Sequence, residues 1–391
     1  MHCQPRVQRV RLSSPPRIRF NAPVPSPVAL SALPPVELPR EAWIDRLRTG
    51  VGATLDGAVI AAMRRVVDAA LMPSAAELPR LRAAAAPFLD GPLWEQPRRY
   101  LDLVDAPADA VVPETRYRRR LPGGALVGRR FAGRYHPYGG AAPDAEADGI
   151  LVEHWMHERT PPHGTILALH GFSMGTPRID AWALFAAQWY RHGLDVALLT
   201  LPYHGARAPR GSRVSGQRFA DPDPARLHDA VRRAIYEIHV VRAWLRERTL
   251  APVGLLGLSL GGYLAALTAG LVDDLDFVMP MVPPVCIGDL AWRFFAGSRR
   301  AAGETPWTHA ELRAMYRVHS PLTYALRLPR ERVLIIAGRG DRIVPPEHPH
   351  ALWRHWGEPA IHWFSGSHLA PFGRDAIVAA GVAHLRRLGI L

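Results

Sequence analysis

The sequence predicts an α/β protein: a mostly parallel sheet with helices on both faces, preceded by a helical extension. Three observations carry this. From about residue 150, runs rich in Val, Ile and Leu alternate with stretches of helical periodicity. Such alternation builds parallel sheets buried on both faces. Several of the runs also end in glycine turns, and ligands of these sheets sit at the carboxyl ends of the strands.

Taken in order, residues 1–38 are basic, with no acid before Glu37. That resembles a targeting peptide, but Pro23, Pro25, Pro27, Pro34 and Pro35 cut its apolar part and break a helical apolar region. A disordered or draped arm and a cytoplasmic location are expected. Residues 39–108 form a helical extension. Apolar residues over 41–72 recur at helical spacing, with Gly50 and Gly52 expected to break the pattern, and 78–90 reads as a second helix.

Residues 109–391 form the α/β domain. "YRRRLPGGALVGRRFAG" reads as a hairpin turning at Gly123-Gly124. "GILVEHWMH", "GTILALHGF", "LDVALLTLP", "PVGLLGLS", "LDFVMPMVP", "RVLIIAG" and "AIHWFSG" follow as strands. Helices are expected over 180–192, 225–248, 260–270, 347–356 and 374–388. Residues 284–325 interrupt the alternation and carry Trp292, Phe294, Phe295, Trp307 and Tyr316. This insertion reads as a cap over the carboxyl edge, and the same aromatic residues also suit ordinary core packing.

Composition narrows the function. The chain has no lysine, so all 48 basic residues are arginine and the formal charge is +13. Asn21 is the sole asparagine, a bias typical of GC-rich coding. The arginines are spread along the chain without a basic stripe or a nucleic-acid motif, so no nucleic-acid partner is expected. No run of 18 or more apolar residues appears, so no membrane span is expected. Two cysteines, Cys3 and Cys286, make no disulfide framework.

The chemistry centres on "GLSLG", Gly257 to Gly261, between an apolar strand and a helix. A serine on such a sharp turn projects its hydroxyl from the sheet edge, and small flanking residues let the backbones approach. Ser259 is the candidate nucleophile. His368, in the loop after the last strand, is the candidate base, ahead of His355 and His362. Asp341, in the turn after "LIIAG", is the acid that orients it, with Asp289 as fallback. The backbone N–H groups of Phe172 and Leu260 are candidate oxyanion donors. His170 is expected to brace its turn. Tyr203, His204, Trp292 and Phe295 are candidate substrate-binding residues, with His204 otherwise a pocket wall.

From about residue 110 onward the chain resembles the α/β-hydrolase superfamily. "LHGFSMG", "GLSLGG", "GRGDRIVPP" and "GSHL" look like its oxyanion strand, elbow, acid turn and histidine loop. "LPYHGAR" before a long helix is similar to a branch of α/β-hydrolase-domain, dienelactone-hydrolase-like and peptidase-like esterases. The resemblance implies an eight-stranded sheet with its second strand antiparallel. It also implies an acyl-enzyme mechanism without metal or cofactor. Two features depart from the pattern. The helical extension lies outside the minimal fold, open to roles as lid, docking surface or dimer contact. The elbow serine argues against dehalogenases and epoxide hydrolases, which use aspartate, and dienelactone hydrolases proper, which use cysteine.

The expected activity is cleavage of a carboxylic ester or thioester by a serine hydrolase. The aromatic residues of 284–325 favour an apolar or aromatic acyl group, and the arginine excess permits an anionic one. A peptidase or acyltransferase on the same residues and a non-catalytic binding protein are the alternatives. A homodimer stays open.

Overall fold

The computed structural model describes residues 33–70, 75–90, 92–102, 112–140, 149–299 and 307–391. The apolar runs pair into one sheet: β1 (Glu114–Leu121), β2 (Gly124–Phe131), β3 (Ile150–His157), β4 (Gly164–Leu169), β5 (Leu194–Thr200), β6 (Val253–Leu258), β7 (Val278–Met281), β8 (Leu334–Gly338) and β9 (Ala360–Phe364). Their order is β1-β2-β3-β5-β4-β6-β7-β8-β9. The β1–β2, β2–β3 and β3–β5 pairs are antiparallel, and all pairs from β5 to β9 are parallel.

The resemblance implies eight strands; the described residues form nine, as the hairpin and the seven apolar runs together predict. The extra strand is β1, the outer arm of the hairpin. Gly123, at φ 76°, makes the tight return that pairs Leu121 with Gly124. Being an exposed edge, β1 carries arginines and not an apolar run.

Helices cover both faces. Before the sheet come α1 (Trp43–Ala70), α2 (Leu78–Leu89) and the single turns α3 (Pro92–Glu95) and α4 (Arg98–Leu101). Within the sheet region lie α5 (Pro177–Ala183), α6 (Ala186–Arg191), α7 (Pro224–Arg248), α8 (Leu260–Leu271), α9 (Ile287–Arg299), α10 (His309–Tyr316), α11 (Glu347–His355) and α12 (Arg374–Arg387). Asp223 caps α7 by accepting from the Ala225 N–H at 3.0 Å. Every residue of α8 is buried, as suits a helix apolar on all sides.

Two helix expectations are revised. The single helix over 180–192 is two, α5 and α6, split where Phe185 takes a left-handed φ of 59°. And α1 runs unbroken through Gly50 and Gly52. Its inner row, Gly52, Ala53, Asp56 and Ile60, is buried, whereas Trp43, Leu47, Val51 and Leu55 face outward. The expected arm at 1–38 falls largely outside the described residues, as does the boundary at 108–109.

Successive strand residues feed opposite cores. Leu167, Leu169, Ala197 and Leu199 join α2, α7, α8 and α10 on one face. Ile166, Ala168, Val196 and Leu198 join α6 and α12 on the other. Trp307 and Tyr316 of the interrupting segment enter the first core, and Arg82 lies over the Trp307 ring. Core packing therefore accounts for these two aromatic residues. Among the described residues no helix is long and apolar enough to cross a membrane.

Candidate active site

Four turns meet at the carboxyl edge of the parallel strands, after β4, β6, β8 and β9. The turn after β6 is tight. Ser259 takes φ 54° and ψ −113°, a conformation that costs on the order of 1–3 kcal/mol. Glycines make it sterically feasible. A Cβ on Gly257 would stand 2.1 Å from the Gly261 carbonyl oxygen, and one on Gly261 would stand 2.0 Å from that of Leu169. The Ser259 N–H donates to the Met281 carbonyl at 2.9 Å, tying the turn to β7.

His368 and Asp341 arrive from β9 and β8. The His368 Nδ1–H donates to Asp341 Oδ2 at 2.7 Å, leaving Nε2 to accept from the Ser259 hydroxyl at 2.9 Å. The other carboxylate oxygen of Asp341 accepts the N–H groups of Ile343 (2.9 Å) and Val344 (2.7 Å). Burial pushes the imidazole pKa down. The charge and hydrogen bond of Asp341, with the charge of Asp56, outweigh burial and hold it above its ordinary value. Burial raises the Asp341 carboxyl pKa, opposed by His368 and the Val344 N–H.

The turn after β4 lies against the serine: a Cβ on Gly171 would be 3.5 Å from the Ser259 Cβ. Buried His170 donates from Nδ1 to the Gly171 carbonyl (2.8 Å), and its Nε2 accepts the Leu201 N–H (3.0 Å). Burial lowers its pKa to about 3, so it stays neutral. Asp180 accepts the Gly175 N–H at 3.1 Å, and the Ser215 hydroxyl donates to the Met174 carbonyl. The N–H groups of Phe172, in this turn, and Leu260, at the start of α8, meet no acceptor among the described residues.

No family model matches the chain. Two uncharacterized proteins of Mycobacterium tuberculosis, from strains CDC 1551 / Oshkosh and H37Rv, are each 32% identical over 240 residues. The match covers 59% of this chain and 55% of those proteins, so the chain spans about half the length of the curated relatives it matches. Among solved structures, acetyl xylan esterase 1 from Thermoanaerobacterium sp. JW/SL YS485 superposes with a TM-score of 0.55 at 16% identity. It covers 79% of this chain and 98% of the esterase. The acetyl xylan esterase from Paenibacillus sp. R4 gives 0.53 at 16% identity, over 80% and 99% of the two chains. The fold is that of the α/β-hydrolases.

The remaining candidate residues make other contacts. Asp289 binds His309 (2.7 Å) and Arg313 (2.5 Å), not His368. His355 bonds the Tyr324 carbonyl, and His362 lies within β9. Tyr203 is 3% exposed and His204 0%. His204 bonds the Pro202 carbonyl and packs against His170, Phe172 and Phe219, bracing the turn after β4. Trp292 is half-buried and stacks on His309 with ring centres 5.2 Å apart. Phe295 belongs to α9, and its side chain lies outside the described residues. A cleft of about 460 Å³ beside the acid turn is lined by polar groups, among them Asp289, Arg293, His309 and Glu347, and by Pro345 and Pro346. Among the described residues no three His, Cys, Asp or Glu side chains converge as a metal set.

One contributor escaped the sequence reading. Asp56, on α1, bonds the loops that carry Asp341 and His368. The buried row of which it is part shows helical spacing, but no local pattern tells a buried carboxylate from an exposed one.

Proposed function

We propose that this protein is a serine hydrolase that cleaves carboxylic esters or thioesters through an acyl-enzyme on Ser259. The observation that carries the reading is the unbroken chain from Ser259 Oγ through His368 to Asp341, with separations of 2.9 and 2.7 Å. The esterase names of two fold neighbours point the same way.

In the proposed reaction His368 Nε2 takes the Ser259 hydroxyl proton as Oγ bonds to the substrate carbonyl carbon. The carbonyl electron pair moves onto oxygen, and the Phe172 and Leu260 N–H groups receive that oxyanion. The α8 N-terminus adds its positive potential at the same place. His368 then returns the proton to the departing alkoxide or thiolate. Water, deprotonated by His368, then attacks the acyl carbon; the C–Oγ bond breaks, His368 returns the proton to Ser259 Oγ, and the acid is released. Asp341 keeps the imidazole in the required tautomer and stabilises its charged form.

A fluorophosphonate probe tests this directly. The intact protein is expected to label at Ser259, and Ser259→Ala is expected to lose both labelling and turnover of p-nitrophenyl acyl esters. Labelling that persists in Ser259→Ala would falsify the assignment.

A further inference from the structure

Helix α1 lies outside the minimal hydrolase fold, yet its inner row reaches the two loops on which the proposed reaction depends. Asp56 is fully buried. Its Oδ1 accepts from the Ser367 hydroxyl (2.8 Å) and the Leu369 N–H (3.2 Å). Its Oδ2 accepts from the His368 N–H (3.1 Å) and the Arg342 N–H (3.0 Å). One carboxylate thus bonds the backbone of His368 itself and of the residue following Asp341. Four donors satisfy both of its oxygens, as a buried charge requires.

The rest of α1 makes the same junction. Gly52 packs so closely that a Cβ there would stand 2.9 Å from the Ser367 nitrogen. The Gly366 N–H donates to Thr49 Oγ1 at 3.3 Å, and Thr49 Oγ1–H donates to Glu41 at 2.9 Å. Glu41 in turn pairs with Arg339 at 3.4 Å, in the acid turn.

From this we infer that Asp56 is a positioning residue of the active site: it fixes the backbones of the His368 loop and the acid turn relative to each other, so that the imidazole meets both Asp341 and Ser259. The inference rests on the Ser259 reading above. It gives the N-terminal extension a role in building the site.

A carboxylate here acts on charge as well as geometry. The groups around His368 are Asp341 from the acid turn, Ser259 from the elbow and Asp56 from α1. The Arg342 side chain approaches α1 at Gly57, and the Glu41–Arg339 pair lies beyond Thr49. The charge of Asp56 favours the imidazolium. Its removal therefore moves the acid limb of the pH–rate profile to lower pH.

The test compares wild type, Asp56→Asn and Ser367→Ala on a p-nitrophenyl ester, with kcat expressed per fluorophosphonate-labelled site. Asp56→Asn is expected to lower kcat about tenfold or more, because displacing a reacting group by about 1 Å can cost about 100-fold. KM should stay within about twofold, since no substrate contact is lost, and the acid limb should move down. Ser367→Ala removes one donor and keeps the carboxylate, so kcat falls less and the limb stays in place. A purely structural role would lower only the labelled fraction and the melting temperature. Wild-type kcat per labelled site with an unmoved limb in Asp56→Asn overturns the inference. So does unaltered kcat in Ser367→Ala, a result that stands even where Asp56→Asn cannot be purified. Ser259→Ala, run alongside, separates this failure from failure of the nucleophile assignment: only the latter leaves labelling intact in Ser259→Ala.

Discussion

Asp341 meets His368 through one carboxylate oxygen at 2.7 Å and spends the other on the N–H groups of its own turn. The carboxylate therefore cannot rotate away without breaking three bonds. Its negative charge, reinforced by that of Asp56, more than offsets burial and holds the imidazole pKa above the ordinary 6.5. A base works only when neutral, so kcat/KM is expected to rise with pH along an acid limb centred above 6.5. The sign for stability is opposite. A raised histidine pKa contributes stability that is fully present below the unfolded value and lost as pH rises through the folded one. Rate measurements on a short-chain ester from pH 5 to 9 check the first part; a limb at or below 6.5 would contradict it.

Asp341→Asn keeps the shape of the acid turn and removes the charge. The amide no longer selects the tautomer that leaves Nε2 free to accept a proton. We expect kcat to fall about 10³- to 10⁴-fold while fold and KM persist. A loss below about tenfold, with the circular dichroism spectrum unchanged, would show that another group orients His368.

The candidate site was legible where local chemistry forces a residue type. The elbow needs small residues two positions either side of the serine, and the sequence shows them at Gly257 and Gly261. Asp341 and His368 stood out because each follows an apolar strand in a glycine-bearing turn. Tyr203 and His204 follow a strand as well, yet both are buried, because strand-end position fixes location but not exposure. Asp56 was illegible because its partners lie 286 to 313 positions away in sequence. Gly52 illustrates the same limit. Propensity marks it as a breaker, whereas the helix tolerates it because the Ser367 loop occupies the space a side chain would fill.

The motif "LPYHGAR" holds a second testable element. Arg207 donates from both terminal guanidinium nitrogens to Glu237 of α7, at 2.6 and 2.5 Å, and from one of them a third bond to the Thr200 carbonyl. Arg233 adds a bond to the same carboxylate at 3.1 Å. All three side chains are almost wholly buried. Glu237→Ala removes the carboxylate that neutralises both buried guanidinium groups and is expected to cost about 3–5 kcal/mol. Urea unfolding measures this as a lower midpoint at constant slope. A cost below about 1 kcal/mol would show that the two arginines are accommodated without this carboxylate.

Gly50 and Gly52 make a paired test of how tightly α1 is bound to the site. Both lie inside one helix, where glycine is less favourable than alanine by about 1 kcal/mol. A Cβ on Gly50 would meet nothing within 4 Å. Gly50→Ala is therefore expected to raise the melting temperature slightly and leave kcat alone. A Cβ on Gly52 would stand 2.9 Å from the Ser367 nitrogen, a contact with backbone that only a shift of helix or loop relieves. Gly52→Ala should lower kcat several-fold despite the better helix propensity, because the loop that shifts also carries His368. Thermal melts and initial rates on the two proteins separate these effects. Equal kcat in both would mean that the His368 loop holds its place without the helix.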